Sequence, residues 1–284
     1  MKTLKENRTI SFLIVGAVYL LATVLGIVLY KLLPFDWWLN LLLADVFATI
    51  LTFIFSLIFD NASVYDPYWS VQPIVISTAF AFGKSLNLLS VLLLVAIWLW
   101  GIRLTANWAY TFGNLTCQDW RYTMLKEKTG AFYPIINFVG IHMVPTVVVY
   151  FCTLPAVYAI VFDKAFHWIS IIFFAQVLVA VTLQTVSDVQ MHKYRKKRTT
   201  PFIRVGLWKY SRHPNYLGEI LMWWSVGLMV VGTDFDLWYL LVGAVLNTLL
   251  FLFVSVPMAD GRQSRKEGFA QYKKETRVFL PIKK

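Results

Sequence analysis

The chain has 284 residues, of which 58% are hydrophobic and 14% charged, and its formal net charge is +11. Soluble domains are nearer roughly 45–50% apolar and about 25% charged, so composition argues against a soluble globular protein. Two cysteines, Cys117 and Cys152, give no disulfide framework. No soluble fold or long basic helix presents the positive charge to nucleic acid.

Hydrophobic runs long enough to cross a hydrocarbon core of about 30 Å recur along the whole length. They predict an all-α fold, a polytopic transmembrane helical bundle of about eight spans at roughly 11–32, 38–59, 67–82, 86–106, 132–159, 167–189, 214–232 and 237–258. The first run continues into further spans without a small-residue cleavage site, so it reads as a retained span. The third is short and begins at Asp66-Pro67. The fifth carries Pro145 and Pro155, which predict a kink or break. Basic residues cluster before the first span (Lys2, Lys5, Arg8) and after the fourth (Arg121, Lys126, Lys128). They cluster again after the sixth (Lys193 to Arg212) and the eighth (Arg262 to Lys284). Eight spans place all four clusters on one side, which the positive-inside rule makes cytoplasmic, with both termini there. The expected organisation is one membrane domain, 1–284, with cytoplasmic loops at 190–212 and 259–284.

The polar residues interleaved with these charges carry the functional signal. Asp66-Pro-Tyr-Trp-Ser70 opens the third span. Arg103 and Asn107 share a helix face near the membrane surface, with Tyr110 one turn further, and Asp119-Trp-Arg-Tyr122 follows with Arg121 between aromatic rings. Asp188 ends an otherwise apolar span, where a carboxylate should turn toward a cavity or a partner. The densest patch is Gly206-Leu-Trp-Lys-Tyr-Ser-Arg-His-Pro-Asn-Tyr-Leu-Gly-Glu219. Pro214 suits the first turn of a helix, which puts Asn215 and Glu219 on one face. Arg212 and His213 then sit just outside a helix start that favours anions, with Arg212 placed to clamp a phosphate. Tyr210 and Tyr216 can stack on a ring or donate a hydrogen bond. The tail adds Asp260, Arg262, Tyr272 and Arg277. The four histidines lie on different segments, so no metal site is expected. The sum predicts a pocket with a basic cytoplasmic half suited to phosphates and an apolar deeper half, without a Rossmann fingerprint or phosphate-binding loop.

These motifs resemble the membrane-embedded steroid 5-alpha-reductase-like family, in particular its bacterial branch, over roughly Asp66 to Pro281. Residues 1–62 lie outside the clear likeness, and 63–284 match the reductase-like bundle. Besides the Gly206–Glu219 motif, the likeness rests on Arg103-Leu-Thr-Ala-Asn-Trp108, Asp119-Trp-Arg-Tyr122, Ser187-Asp-Val-Gln190 and Tyr272-Lys-Lys-Glu-Thr-Arg-Val-Phe-Leu-Pro281. The resemblance implies NADPH bound on the cytoplasmic side, with Asp188, Tyr210, Asn215 and Glu219 at nucleotide-binding positions, Arg212 and His213 beside them, and the tail closing over the cofactor. It implies hydride transfer to the beta carbon of an alpha,beta-unsaturated ketone of a steroid-like or other lipid substrate. Tyr110 would then hold the carbonyl and Asp66 would support it. No obligatory protein partner follows, and a bacterial inner membrane is the expected location. Membrane S-adenosylmethionine-dependent methyltransferases share the Arg-His-Pro-x-Tyr core. They usually carry a Glu-Glu pair before the tail, where this chain has Met258-Ala-Asp-Gly-Arg262. A non-enzymatic lipid-binding protein on the same scaffold is a further alternative.

Overall fold

The computed structural model describes residues 5–282; Lys2, Lys283 and Lys284 of the basic clusters lie outside them. Among the described residues the chain is helical and has no strand. One isolated bridge joins Ser211 to Arg277. The main helices are α1 (Arg8–Leu32), α2 (Trp37–Phe59), α3 (Tyr68–Ala81), α4 (Leu88–Thr111), α5 (Trp120–Thr129), α6 (Val144–Val161), α7 (Ile169–Lys197), α8 (Pro214–Val231), α9 (Val242–Leu250), α10 (Val256–Gln263) and α11 (Phe269–Glu275). Among the described residues, six helical stretches are long and apolar enough to cross a membrane: α1, α2, α4, Trp120–Val161, α7 and Phe235–Gln263. The shorter α3 and α8 fall where the third and seventh spans are expected.

The distribution of exposed residues explains this as a multi-pass membrane protein. In α1 the buried residues are Ser11, Val15, Val18, Ala22 and Gly26, a single narrow stripe. The rest of the helix turns Leu13, Leu20 and Leu32 outward. Faces this apolar would be insoluble in water and are at home in lipid.

The fifth expected span is part of a continuous helical stretch of 42 residues, Trp120–Val161. In place of a break, it contains a π-helical segment, Ile136–Met143, between α5 and α6. The ring Nδ1 of His142 lies 2.9 Å from the carbonyl of Asn137, five residues back, the π-helical spacing. A second π segment, Phe251–Ser255, separates α9 from α10.

The chain divides into two compact units: residues 1–79 with 104–154, and residues 80–103 with 155–284. In the first, α1 packs on α2, and Tyr19, Tyr65 and Tyr68 gather with Ala22 and Ala48. In the second, α7 and α8 pack closely because Gly218 has no side chain. A Cβ there would come 2.5 Å from Gln184 Cγ and 2.8 Å from the Ala180 carbonyl oxygen.

Candidate functional site

The second unit holds a chain of buried polar side chains on α4, α7 and α8. The Glu219 carboxylate accepts from the indole N–H of Trp100 at 2.9 Å, the indole N–H of Trp223 at 3.1 Å and the Gln184 amide at 3.1 Å. The other end of Gln184 accepts from Arg103 at 2.7 Å, and Arg103 forms an ion pair with Asp188. Arg103, Asp188 and Glu219, expected to converge from separate spans, are therefore joined through Gln184. Gln184 opens the polar stretch that ends the sixth expected span, whereas sequence reasoning missed Trp100 and Trp223. Their only signal is one-turn spacing, from Trp100 to Arg103 and from Glu219 to Trp223.

The loop before α8 is fixed to α7 from below and to the tail from above. Gly206 has φ +59°, and a Cβ would run into the Gln190 amide. That amide oxygen accepts from the Leu207 N–H, and Trp208 donates to the Ser187 carbonyl. The Arg212 and His213 N–H groups donate to the Arg277 and Val278 carbonyls. The Tyr272 hydroxyl donates to the Trp208 carbonyl at 2.5 Å.

Arg212 departs from its expected role as a phosphate clamp. It is buried, its guanidinium grips both carboxylate oxygens of Asp260, and it donates to the Thr276 carbonyl at 2.7 Å. His213 Nε2 meets the same carboxylate at 3.0 Å, and its ring stacks on Tyr216 at 5.0 Å. Breaking such a buried pair by removing one partner costs about 3–5 kcal/mol, so Arg212 and Asp260 tie the tail to the start of α8. Asn215, in the first turn of α8, has a buried Oδ1 without a hydrogen-bond partner. A buried acceptor left this way costs about 1–3 kcal/mol, which a ligand N–H would recover.

Beside this hub lies a cavity of about 690 Å³ lined by Arg204, Lys209, Tyr210, Tyr272, Lys274, Glu275 and Thr276. Three cations accompany one carboxylate there, and Tyr210 offers an exposed ring, while Tyr272 is packed on Phe202 and Phe269. Burial pushes the Tyr272 phenol up to about 12, which keeps it a hydrogen-bond donor. The cavity lies within the range of small-molecule and cofactor pockets, roughly 300–1,000 Å³. Arg262 and Arg277 are exposed side chains on the tail.

The first unit holds Asp66, Asn107, Tyr110, Asp119 and Arg121 of the expected site. Tyr110, near the end of α4, is 56% exposed. Asp66 accepts from the Tyr122 hydroxyl at 2.5 Å. Burial pushes the Asp66 carboxyl up to about 6, against the lowering charge of Arg121. Asp119 caps α5 and closes on Arg121 at 2.8 Å. Asn107 is half-buried on α4, one turn beyond Arg103. A second enclosed tyrosine–acid pair is Tyr68 with Asp45. The Tyr68 hydroxyl donates to Asp45 Oδ1 at 2.7 Å, and the Gln72 amide donates to Oδ2 at 2.7 Å. Asp45 is 4% exposed in the middle of α2, and an ionisable residue inside a span marks a candidate site. Among the described residues, no group of three or more His, Cys, Asp or Glu side chains is placed to hold a metal.

Residues 52–276 match the model of the family described as "Protein of unknown function (DUF1295)", and the chain belongs to that family. An uncharacterized protein of Schizosaccharomyces pombe is 28% identical over 196 residues, covering 58% of this chain and 56% of its own length. Methanethiol S-methyltransferase 1 of Bradyrhizobium diazoefficiens is 28% identical over 95 residues, 33% of this chain and 31% of that protein. The chain thus spans about half, or less, of the length of the curated relatives it matches. No solved structure matches.

Proposed function

We propose that this membrane protein is an NADPH-dependent reductase of a conjugated carbon–carbon double bond in an apolar ketone. The observation that carries the reading is the cavity beside the Arg212–Asp260 hub. Arg204, Lys209 and Lys274 outnumber Glu275 there, a donor set suited to the phosphates of a dinucleotide. S-adenosylmethionine, with a sulfonium and an amino group, would gain less from three cations. The unpartnered Asn215 Oδ1 adds an acceptor suited to an amide or amine N–H of the cofactor. NADPH, when bound, supplies the hydride.

The chain's own groups would do the rest. Tyr210 offers a ring face, and Arg204 and Lys209 offer charge. Glu219, held by two indoles, fixes Gln184 and through it Arg103.

A second reading, transfer of a methyl group from S-adenosylmethionine, is favoured by the methyltransferase name of the Bradyrhizobium relative. Purified full-length protein decides between them. With a panel of enones the first reading gives loss of reduced-nicotinamide absorbance. Binding of S-adenosylmethionine without NADPH would overturn it in favour of the second.

A further inference from the structure

The first unit contains a second cavity, of about 320 Å³, that the reductase reading does not use. Its lining includes Asp60, Gln118, Lys126, Tyr133 and Asn137. Asn137 is 3% exposed, and its buried Oδ1 has no hydrogen-bond partner; the buried Tyr133 hydroxyl has none either. Buried polar atoms are nearly always satisfied. Two unsatisfied ones on residues lining one cavity mark a place where a ligand completes the bonding. Asn137 lies at the start of the π-helical segment, and its backbone carbonyl is taken by the His142 ring.

The surroundings define the ligand. Lys126 and Asp60 form an ion pair at 2.9 Å, and both are solvent-exposed, so the cavity opens beside one cation and one anion. Lys126 also lies 5.8 Å over the Tyr133 ring. Further along the same helical stretch, Phe132, Ile135 and Val139 are exposed and apolar. That stretch of 42 residues is about 63 Å long at 1.5 Å per residue, about twice the hydrocarbon thickness. One part must stand out of the hydrocarbon, and Lys126 to Val139 holds the change from charged to apolar side chains.

We propose that this cavity binds the head group of a phosphatidylethanolamine lipid. The ammonium N–H groups donate to Asn137 Oδ1 and the Tyr133 hydroxyl and are attracted to Asp60. The phosphate meets Lys126, and the acyl chains run along Phe132, Ile135 and Val139. Phosphatidylcholine has the same charges but no ammonium N–H. Phosphatidylglycerol has hydroxyl donors but no cation. Both should bind less well.

The test is titration of the detergent-solubilised full chain with dihexanoyl phosphatidylethanolamine, phosphatidylcholine and phosphatidylglycerol, read by native mass spectrometry. The expected result is a preference of about fivefold or more for the ethanolamine lipid. Asn137→Ala should abolish that preference and Tyr133→Phe should reduce it by about twofold to tenfold, the range for one hydrogen bond. Equal binding of the three lipids, or a preference for phosphatidylglycerol, overturns the proposal. So does an ethanolamine preference that survives in both variants. Tyr133→Phe keeps the ring and decides alone if Asn137→Ala does not fold. This inference is independent of the NADPH reading.

Discussion

Trp100 and Glu219, 119 residues apart in the sequence, meet through an indole N–H to carboxylate hydrogen bond of 2.9 Å. With Trp223 and Gln184 on the same carboxylate, α4, α7 and α8 converge on one buried acidic group. Glu219→Gln would turn an amide N–H toward these donors and leave at least one unsatisfied, at about 1–3 kcal/mol. Thermal unfolding in detergent should show this loss. NADPH affinity should fall as well, because Gln184 and Arg103 lose their fixed positions.

The basic cavity makes a separate prediction. Arg204→Ala and Lys209→Ala should each weaken NADPH binding by about fivefold to tenfold, as expected for loss of one charge-assisted contact of roughly 1–1.5 kcal/mol. Added salt should weaken wild-type binding more than that of either variant. Equilibrium titration at two ionic strengths checks both. Unchanged affinity in both variants would remove the cavity from the site.

Tyr68 and Asp45 make a prediction about the first unit alone. Tyr68→Phe should remove a donor to the buried Asp45 carboxylate and destabilise the fold by about 1–3 kcal/mol. Thermal unfolding in detergent checks this, and an unchanged melting temperature would contradict it.

Gly218 tests the packing beneath the site. An added methyl would collide with Gln184 and with the rigid Ala180 carbonyl. Gly218→Ala should therefore destabilise by about 1–3 kcal/mol through overpacking. It should also disturb Gln184, so loss of melting temperature and of cofactor affinity should appear together.

Asp66 gives a pH dependence with a definite sign. Its carboxyl is raised from 3.8 to about 6 in the folded chain, chiefly by burial. The folded state therefore holds the proton more tightly than the unfolded state. This contribution is fully present below about pH 4 and is lost as pH rises through about 6. The stability of wild type relative to Asp66→Asn should fall across that window and level off above it. Paired unfolding measurements between pH 4 and 7 check the sign, and a rise across the window would contradict it.

The helical membrane class was legible because long apolar runs state it directly. The site was legible only where polar residues cluster in sequence. The Gly206–Glu219 motif announces itself, and Asp188 stands out at the end of an apolar span. Asp45 does not stand out, being one carboxylate in a run long enough to span. Its meaning depends on Tyr68, brought to it by packing from 23 residues away. Arg212 misleads for a related reason. A basic residue before a helix start suits a phosphate, but Asp260, 48 residues on, takes that role. The π-helical register of Ile136–Met143 has no period visible beside Pro145, whose presence points to a kink instead.

The most direct test of the account is side-by-side equilibrium binding of NADPH and S-adenosylmethionine to the purified full-length chain, wild type and Arg204→Ala. The account predicts that NADPH binds, that Arg204→Ala weakens it, and that S-adenosylmethionine binds more weakly or not at all. Saturable binding of S-adenosylmethionine with none of NADPH would contradict it.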